Sequence, residues 1–81
     1  MKTVAQLRAA RALLGWSQDD LAAKSGVSKP TVARLELGVG GAVGGYPRTQ
    51  EKLRRTLEAA GVIFVAENGE GPGVRLRKGR K

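Results

Sequence analysis

The sequence predicts a mainly α-helical fold, a bundle of about four short helices followed by a C-terminal β-hairpin. Three observations predict it. Apolar residues recur at helical spacing through the first part of the chain. The segments that carry them are punctuated by hydroxyl or proline starts and glycine stops. From Val62 onward the pattern changes to a short apolar run, a glycine-rich turn and an alternation of apolar and basic residues.

Val4, Leu7, Ala10 and Leu14 share one face of a first helix over residues 3 to 14, with Arg8 and Arg11 pointing elsewhere and Gly15 stopping it. Ser17 then offers its oxygen to a free backbone N–H, while Asp19 and Asp20 complement the positive end of a second helix. Trp16 and Leu21 occupy the two positions of a hydrophobic staple across that start. The second helix is short and meets Gly26, a residue suited to the left-handed conformation that turns the chain. Ser28 caps a third helix, over residues 29 to 37, in whose first turn Pro30 is tolerated and whose Val32 and Leu35 face inward. The run GVGGAVGGYP holds five glycines and a proline in ten residues, a composition that predicts a pliable loop. Leu53, Leu57 and Ala60 make a fourth helix ending at Gly61, with Thr49 as its expected cap. VIFVA reads as a strand, ENGEGPG as a turn, and Val74 to Arg77 as the returning strand. The closing KGRK has nothing to bury and reads as a basic tail.

The domain division that follows is residues 1–61 for the helical domain, 62–77 for the hairpin and 78–81 for the tail. With 81 residues there is room for one core. Apolar residues make up 41%, but the chain has one Trp, one Tyr and one Phe, so the core rests on Leu, Val and Ala.

Cysteine and histidine are both absent. Their loss removes disulfides, thiolate nucleophiles, the usual transition-metal ligands and the commonest general base together. No cofactor, metal site or catalytic residue is expected. The glycines of GVGGAVGG lack the following Lys and Ser or Thr of a phosphate-binding loop, and Asp19 and Asp20 are explained by capping. The N-terminal run MKTVAQLRAARALLGW carries basic residues throughout, so it reads as neither signal peptide nor membrane span, and a cytoplasmic location is expected. Fifteen Lys plus Arg against seven Asp plus Glu give a formal charge of +8, which points to a polyanionic partner.

The segment SQDDLAAKSGVSKPTVARLELG is two short capped helices joined by a tight glycine turn, the arrangement of a helix-turn-helix. Gln18, Leu21, Ala22, Gly26, Val27, Ser28, Val32 and Leu35 all fit the pattern, which resembles the Cro and lambda-repressor type of regulators over residues 4 to 60. Two departures stand out, a longer glycine-rich loop and a hairpin in place of a fifth helix. The resemblance implies a sequence-specific regulator of transcription, a repressor, that binds double-stranded DNA and is not an enzyme. It places Lys29, Pro30, Thr31 and Arg34 against base edges. The chemistry agrees, since Arg and Lys can donate to guanine O6 and N7 while a Thr methyl or Pro ring packs on a thymine methyl.

By the same resemblance Gln18, Arg48 and Thr49 contact phosphates, and Ser17 and Ser28 act either as caps alone or as phosphate contacts too. Arg11 and Glu36 match positions that pair as a buried ion bridge in relatives and are read as structural. The strand VIFVA lacks polar alternation, so an edge of it invites a second copy and a homodimer through residues 62 to 66, the alternative being a hairpin folded onto its own core. Two rival readings stand beside this one: an antitoxin, or other protein-interaction module, that neutralises a partner toxin while controlling its own operon, and an RNA binder, disfavoured by the scarcity of aromatics.

Overall fold

A computed structural model describes residues 1–38 and 47–78 of the chain. Helices α1 (Val4–Leu14), α2 (Gln18–Ser25), α3 (Lys29–Glu36) and α4 (Pro47–Ala59) are followed by strands β1 (Val62–Val65) and β2 (Gly73–Leu76). Of the glycine-rich run expected as a loop, only Gly38 and Pro47 are among the described residues, and of the basic tail only Lys78.

Each helix start has a local cause. Thr3 Oγ1 accepts from Gln6 N at 3.1 Å and Gln6 Oε1 accepts from Thr3 N at 3.2 Å, so α1 opens on a reciprocal capping box. Ser17 and Asp20 repeat the device on α2, where Ser17 Oγ accepts from Asp20 N at 3.0 Å and Asp20 Oδ2 from Ser17 N at 2.8 Å. That hydrogen bond from the Ser17 amide holds the Asp20 carboxyl below its ordinary value. Ser28 caps α3 alone, with Pro30 in its first turn. Helix α4 begins at Pro47, whose fixed φ suits a first helical position, so Thr49 lies inside the first turn and does not cap it. Between α2 and α3 the chain reverses at Gly26, φ +77°, a left-handed conformation that would strain any side chain.

Val4, Leu7, Ala10, Leu21, Val27, Val32, Leu35, Leu53, Leu57 and Val62 form one buried core drawn from all four helices and β1. Trp16, Phe64 and Val74 pack against its rim. The strands pair antiparallel, with Val62 opposite Leu76, Ile63 opposite Arg75, Phe64 opposite Val74 and Val65 opposite Gly73. Because side chains alternate, the Phe64 and Val74 pair turns toward the core and Ile63 and Val65 turn away from it. In the connecting turn Glu67 Oε2 accepts from both Gly69 N and Gly71 N at 2.8 Å.

Two buried polar groups tie these layers together. Gln6, 4% exposed, donates from Nε2 to the backbone oxygens of Val65 at 3.2 Å and Gly73 at 3.0 Å while Oε1 accepts from Lys2 N and Thr3 N. One amide thus caps α1 and fastens the turn end of the hairpin onto it. Glu36, 7% exposed, receives Arg11 Nε on Oε2 at 2.9 Å and Arg11 Nη2 on Oε1 at 2.8 Å, with Gln18 Nε2 adding a third bond at 3.0 Å. The remaining Arg11 nitrogen, Nη1, donates to Trp16 O at 2.8 Å. Burial pushes the Glu36 carboxyl up, but the hydrogen bonds from Arg11 and Gln18 and the charges of Arg11 and Arg8 outweigh it and hold the group below its ordinary value. The Glu36 hydrogen bond likewise raises Arg11.

Glu36→Ala leaves the Arg11 guanidinium without its carboxylate in a site where that side chain is 22% exposed; the expected loss is about 3 kcal/mol. In a thermal melt this lowers Tm by roughly 12 °C or more for a chain of this size. Because the folded carboxyl lies below its unfolded value of about 4.3, the stabilisation is complete above that pH and drains away as pH falls through the folded value. The acid limb of a Tm against pH curve should therefore be shallower in Glu36→Ala than in the parent. Gln6→Leu strands the Val65 and Gly73 oxygens, with an expected cost of about 2 kcal/mol. Hydrogen exchange at the β1 and β2 amides should accelerate in that variant ahead of the amides in α2 and α3; uniform protection in both would contradict this role.

Candidate nucleic-acid interface

Helix α3 has two chemically distinct sides. Val32, Leu35 and Glu36 are buried, which fixes the helix about its own axis. Ser28, Lys29, Pro30 and Arg34 are exposed and Thr31 is half-buried, so the residues expected to read bases share one accessible side. They are also linked to one another. Ser28 Oγ lies 2.9 Å from Thr31 Oγ1 and accepts from Thr31 N at 3.4 Å, while Arg34 Nη2 donates to Thr31 Oγ1 at 3.4 Å. Lys29 Nζ reaches Asp19 Oδ2 at 3.4 Å across the turn.

The electrostatics of the two helix starts differ. Helix α2 already holds Asp19 and Asp20 in its first turn, whereas α3 has no acid in its own. The free amides and positive dipole end of α3 are therefore the more receptive to an incoming anion. Gln18, at the start of α2, is half-buried and turned inward, its Nε2 on Glu36 Oε1. Ser17 is exposed with its oxygen engaged in the capping box. Arg48 is exposed and Thr49 half-buried at the start of α4, a separate element joined to this region through its packing on α2.

Two arginines of α4 are neutralised locally. On α4, Arg54 pairs with Glu51 and Glu58, and Arg55 Nε lies 2.8 Å from Glu51 Oε2. Lys24 Nζ sits 5.2 Å from the centre of the Trp16 ring, a cation–π contact. Arg34 and Arg48 have no carboxylate partner among the described residues. Part of the positive charge available to a polyanion thus lies in the last turn of α3, at Arg34, and at the start of α4, at Arg48. What the arrangement offers chemically is a row of donors, Lys29, Thr31 and Arg34, on a narrow rigid rod with a proline ring among them, a shape and donor set suited to the acceptor-rich major groove.

Sequence reasoning did not single out Gln6 or Asp19 as anything beyond helix filler and a charge at a helix start. The spacing of Thr3 and Gln6 is itself a capping-box signature and marks Gln6 as special. The contact between Asp19 and Lys29 leaves no such signature, because it spans the turn. No helix among the described residues is long and apolar enough to cross a membrane. No curated protein matches the chain. Residues 7–42 match the family model described as helix-turn-helix, a segment that holds most of α1, all of α2 and α3 and the turn between them; over that stretch the chain is similar to the helix-turn-helix family.

Proposed function

We propose that this protein is a sequence-specific repressor of transcription that lays α3 in the major groove of double-stranded DNA and acts in the cytoplasm. The observation that carries the reading is the division of α3. Its inner side is locked by Val32, Leu35 and the Glu36 ion pair, and its outer side presents Lys29, Pro30, Thr31 and Arg34. A helix that cannot roll and exposes directional donors is what base readout requires. Arg34 is the principal base reader, with the guanidinium fork matched to guanine O6 and N7. Lys29 and Thr31 read neighbouring positions, and the Pro30 ring offers an apolar contact to a thymine methyl. Arg48 and Thr49 hold the backbone on one flank, and the start of α2, with Ser17 exposed and Gln18 half-buried, holds it on the other together with Ser28. A body of this size seated on a promoter blocks access by occupancy alone, which favours repression.

The same reading makes the protein a homodimer. The sheet has two strands, so β1 and β2 each keep one edge that the sheet itself does not pair. Ile63 and Val65 turn away from the core and are half-buried. A second copy added there covers them and gives the two-fold symmetry that matches a palindromic operator.

Selection of bound duplexes from a random pool, repeated with Arg34→Ala, tests the function. Loss of preference at a single base position, costing about 1 to 3 kcal/mol, is the expected outcome. Uniform weakening across all sequences would reassign Arg34 to phosphate. Sedimentation equilibrium should show a monomer–dimer equilibrium that Ile63→Glu shifts to monomer; a strict monomer at high concentration would remove the dimer.

A further inference from the structure

The exposed starts of α2 and α3 meet at one ion pair, Asp19 with Lys29, whose side chains are 72% and 54% exposed. Such a pair adds little to stability. Its position is what matters. Of the acids in the helix-turn-helix, Asp20 is folded back on Ser17, and Glu36 is buried beneath Arg11 and Gln18. Asp19 alone of these pairs with a cation of the side that reads DNA in the function proposed above. An ionised carboxylate accepts hydrogen bonds and donates none. Facing a phosphate, or guanine O6 and N7, it is repulsive unless a cation stays between.

We infer that Asp19 is a specificity-determining residue, tethering Lys29 over the base-reading side and penalising any docking in which Lys29 swings out to a phosphate. The inference rests on the DNA-reading assignment of α3. Lysine carries three N–H donors, so in the matched register one can stay on Asp19 Oδ2 while another reaches a base acceptor. Out of register, the nearest strong acceptors are phosphate oxygens. Lys29 reaches them only by leaving Asp19 bare against the polyanion. The discrimination thus comes from a repulsive element as well as an attractive one, the usual requirement when affinity alone would tighten right and wrong complexes together. Asp20 does not share this role, because both the backbone and the hydroxyl of Ser17 hold it in the capping box.

Fluorescence anisotropy on a selected duplex and on a scrambled duplex of equal composition, across a salt series, tests this with the parent, Asp19→Asn, Lys29→Gln and the double variant. Ser17 and Asp20 still cap α2 in all four, and a thermal melt of each checks that they fold. Asp19→Asn should tighten the scrambled duplex roughly threefold and leave the selected one near its parent affinity, so that discrimination falls by that factor. The log–log salt slope on the scrambled duplex should steepen by about 0.9, as the released Lys29 neutralises one more phosphate. Both changes should vanish in the Lys29→Gln background. Equal tightening of both duplexes, or changes that persist without Lys29, would overturn the inference while leaving the DNA-reading assignment intact. A parent protein that binds both duplexes equally would overturn that assignment and the inference with it.

Discussion

The Glu36 carboxylate is the constraint on which the rest of the helix-turn-helix depends. It sits at the last residue of α3 and collects Arg11 from α1 and Gln18 from the start of α2. Three helices that share few large side chains are thereby referenced to one point. Arg11 extends the same knot to the Trp16 carbonyl, which fixes the chain between α1 and α2. Apolar packing is tolerant of small rotations, because Leu, Val and Ala surfaces are smooth and non-directional. A two-pronged bond between guanidinium and carboxylate is not tolerant, since both prongs must be in register at once. In a core with so few aromatic side chains, the angular precision of α3 comes from this polar contact more than from its apolar neighbours.

That constraint also separates two classes of charge. The pairs on α4 are exposed and local, and surface pairs of that kind contribute about 0 to 1 kcal/mol each. They quiet the α4 surface without holding the fold together. Arg11 and Glu36 are the opposite case, since each would be costly to bury alone. Arg34 and Arg48 belong to neither class, being exposed with no carboxylate beside them among the described residues. Their charge is left to the solvent and to whatever polyanion arrives. A net charge of +8 is therefore less informative than its partition between cations already satisfied and cations still available.

Much of this was legible in the sequence because its causes are local. Ser17 and Ser28 cap the helices they precede, and Gly15 and Gly26 take the left-handed conformation that ends α1 and α2. The strand from Val62 is legible as a short apolar run and its return at Val74 from alternation, and the register follows from the length of the turn. Thr49 was misplaced as a cap because a hydroxyl two residues after a proline resembles one, whereas Pro47 itself starts the helix. Gln6 shows the limit more sharply. Its bonds to Val65 and Gly73 join residues 59 and 67 positions apart, and no periodicity carries information over that separation. The link between Asp19 and Lys29 was hidden for a related reason, since it depends on the angle at which α2 and α3 cross.

Gln6 gives the hairpin a place in the mechanism that its composition does not suggest. Its Nε2 bonds, together with Arg77 N on Gly61 O at 2.7 Å, pin the hairpin at both ends, one to α1 and one to the exit of α4. Helix α1 is in turn pinned to α3 through Arg11 and Glu36. A continuous polar chain therefore runs from the sheet to α3, through Gln6, the backbone of α1, Arg11 and Glu36. If two copies join through their hairpins, the distance and angle between their α3 helices are set along that path. Each bond in it is short and directional, so the pair would act as a fixed caliper on two successive turns of the groove. Under the proposed function, a loosened Gln6 would then disturb operator spacing preference while leaving the base preference of each α3 unchanged, which separates a fault in the caliper from a fault in the reading head.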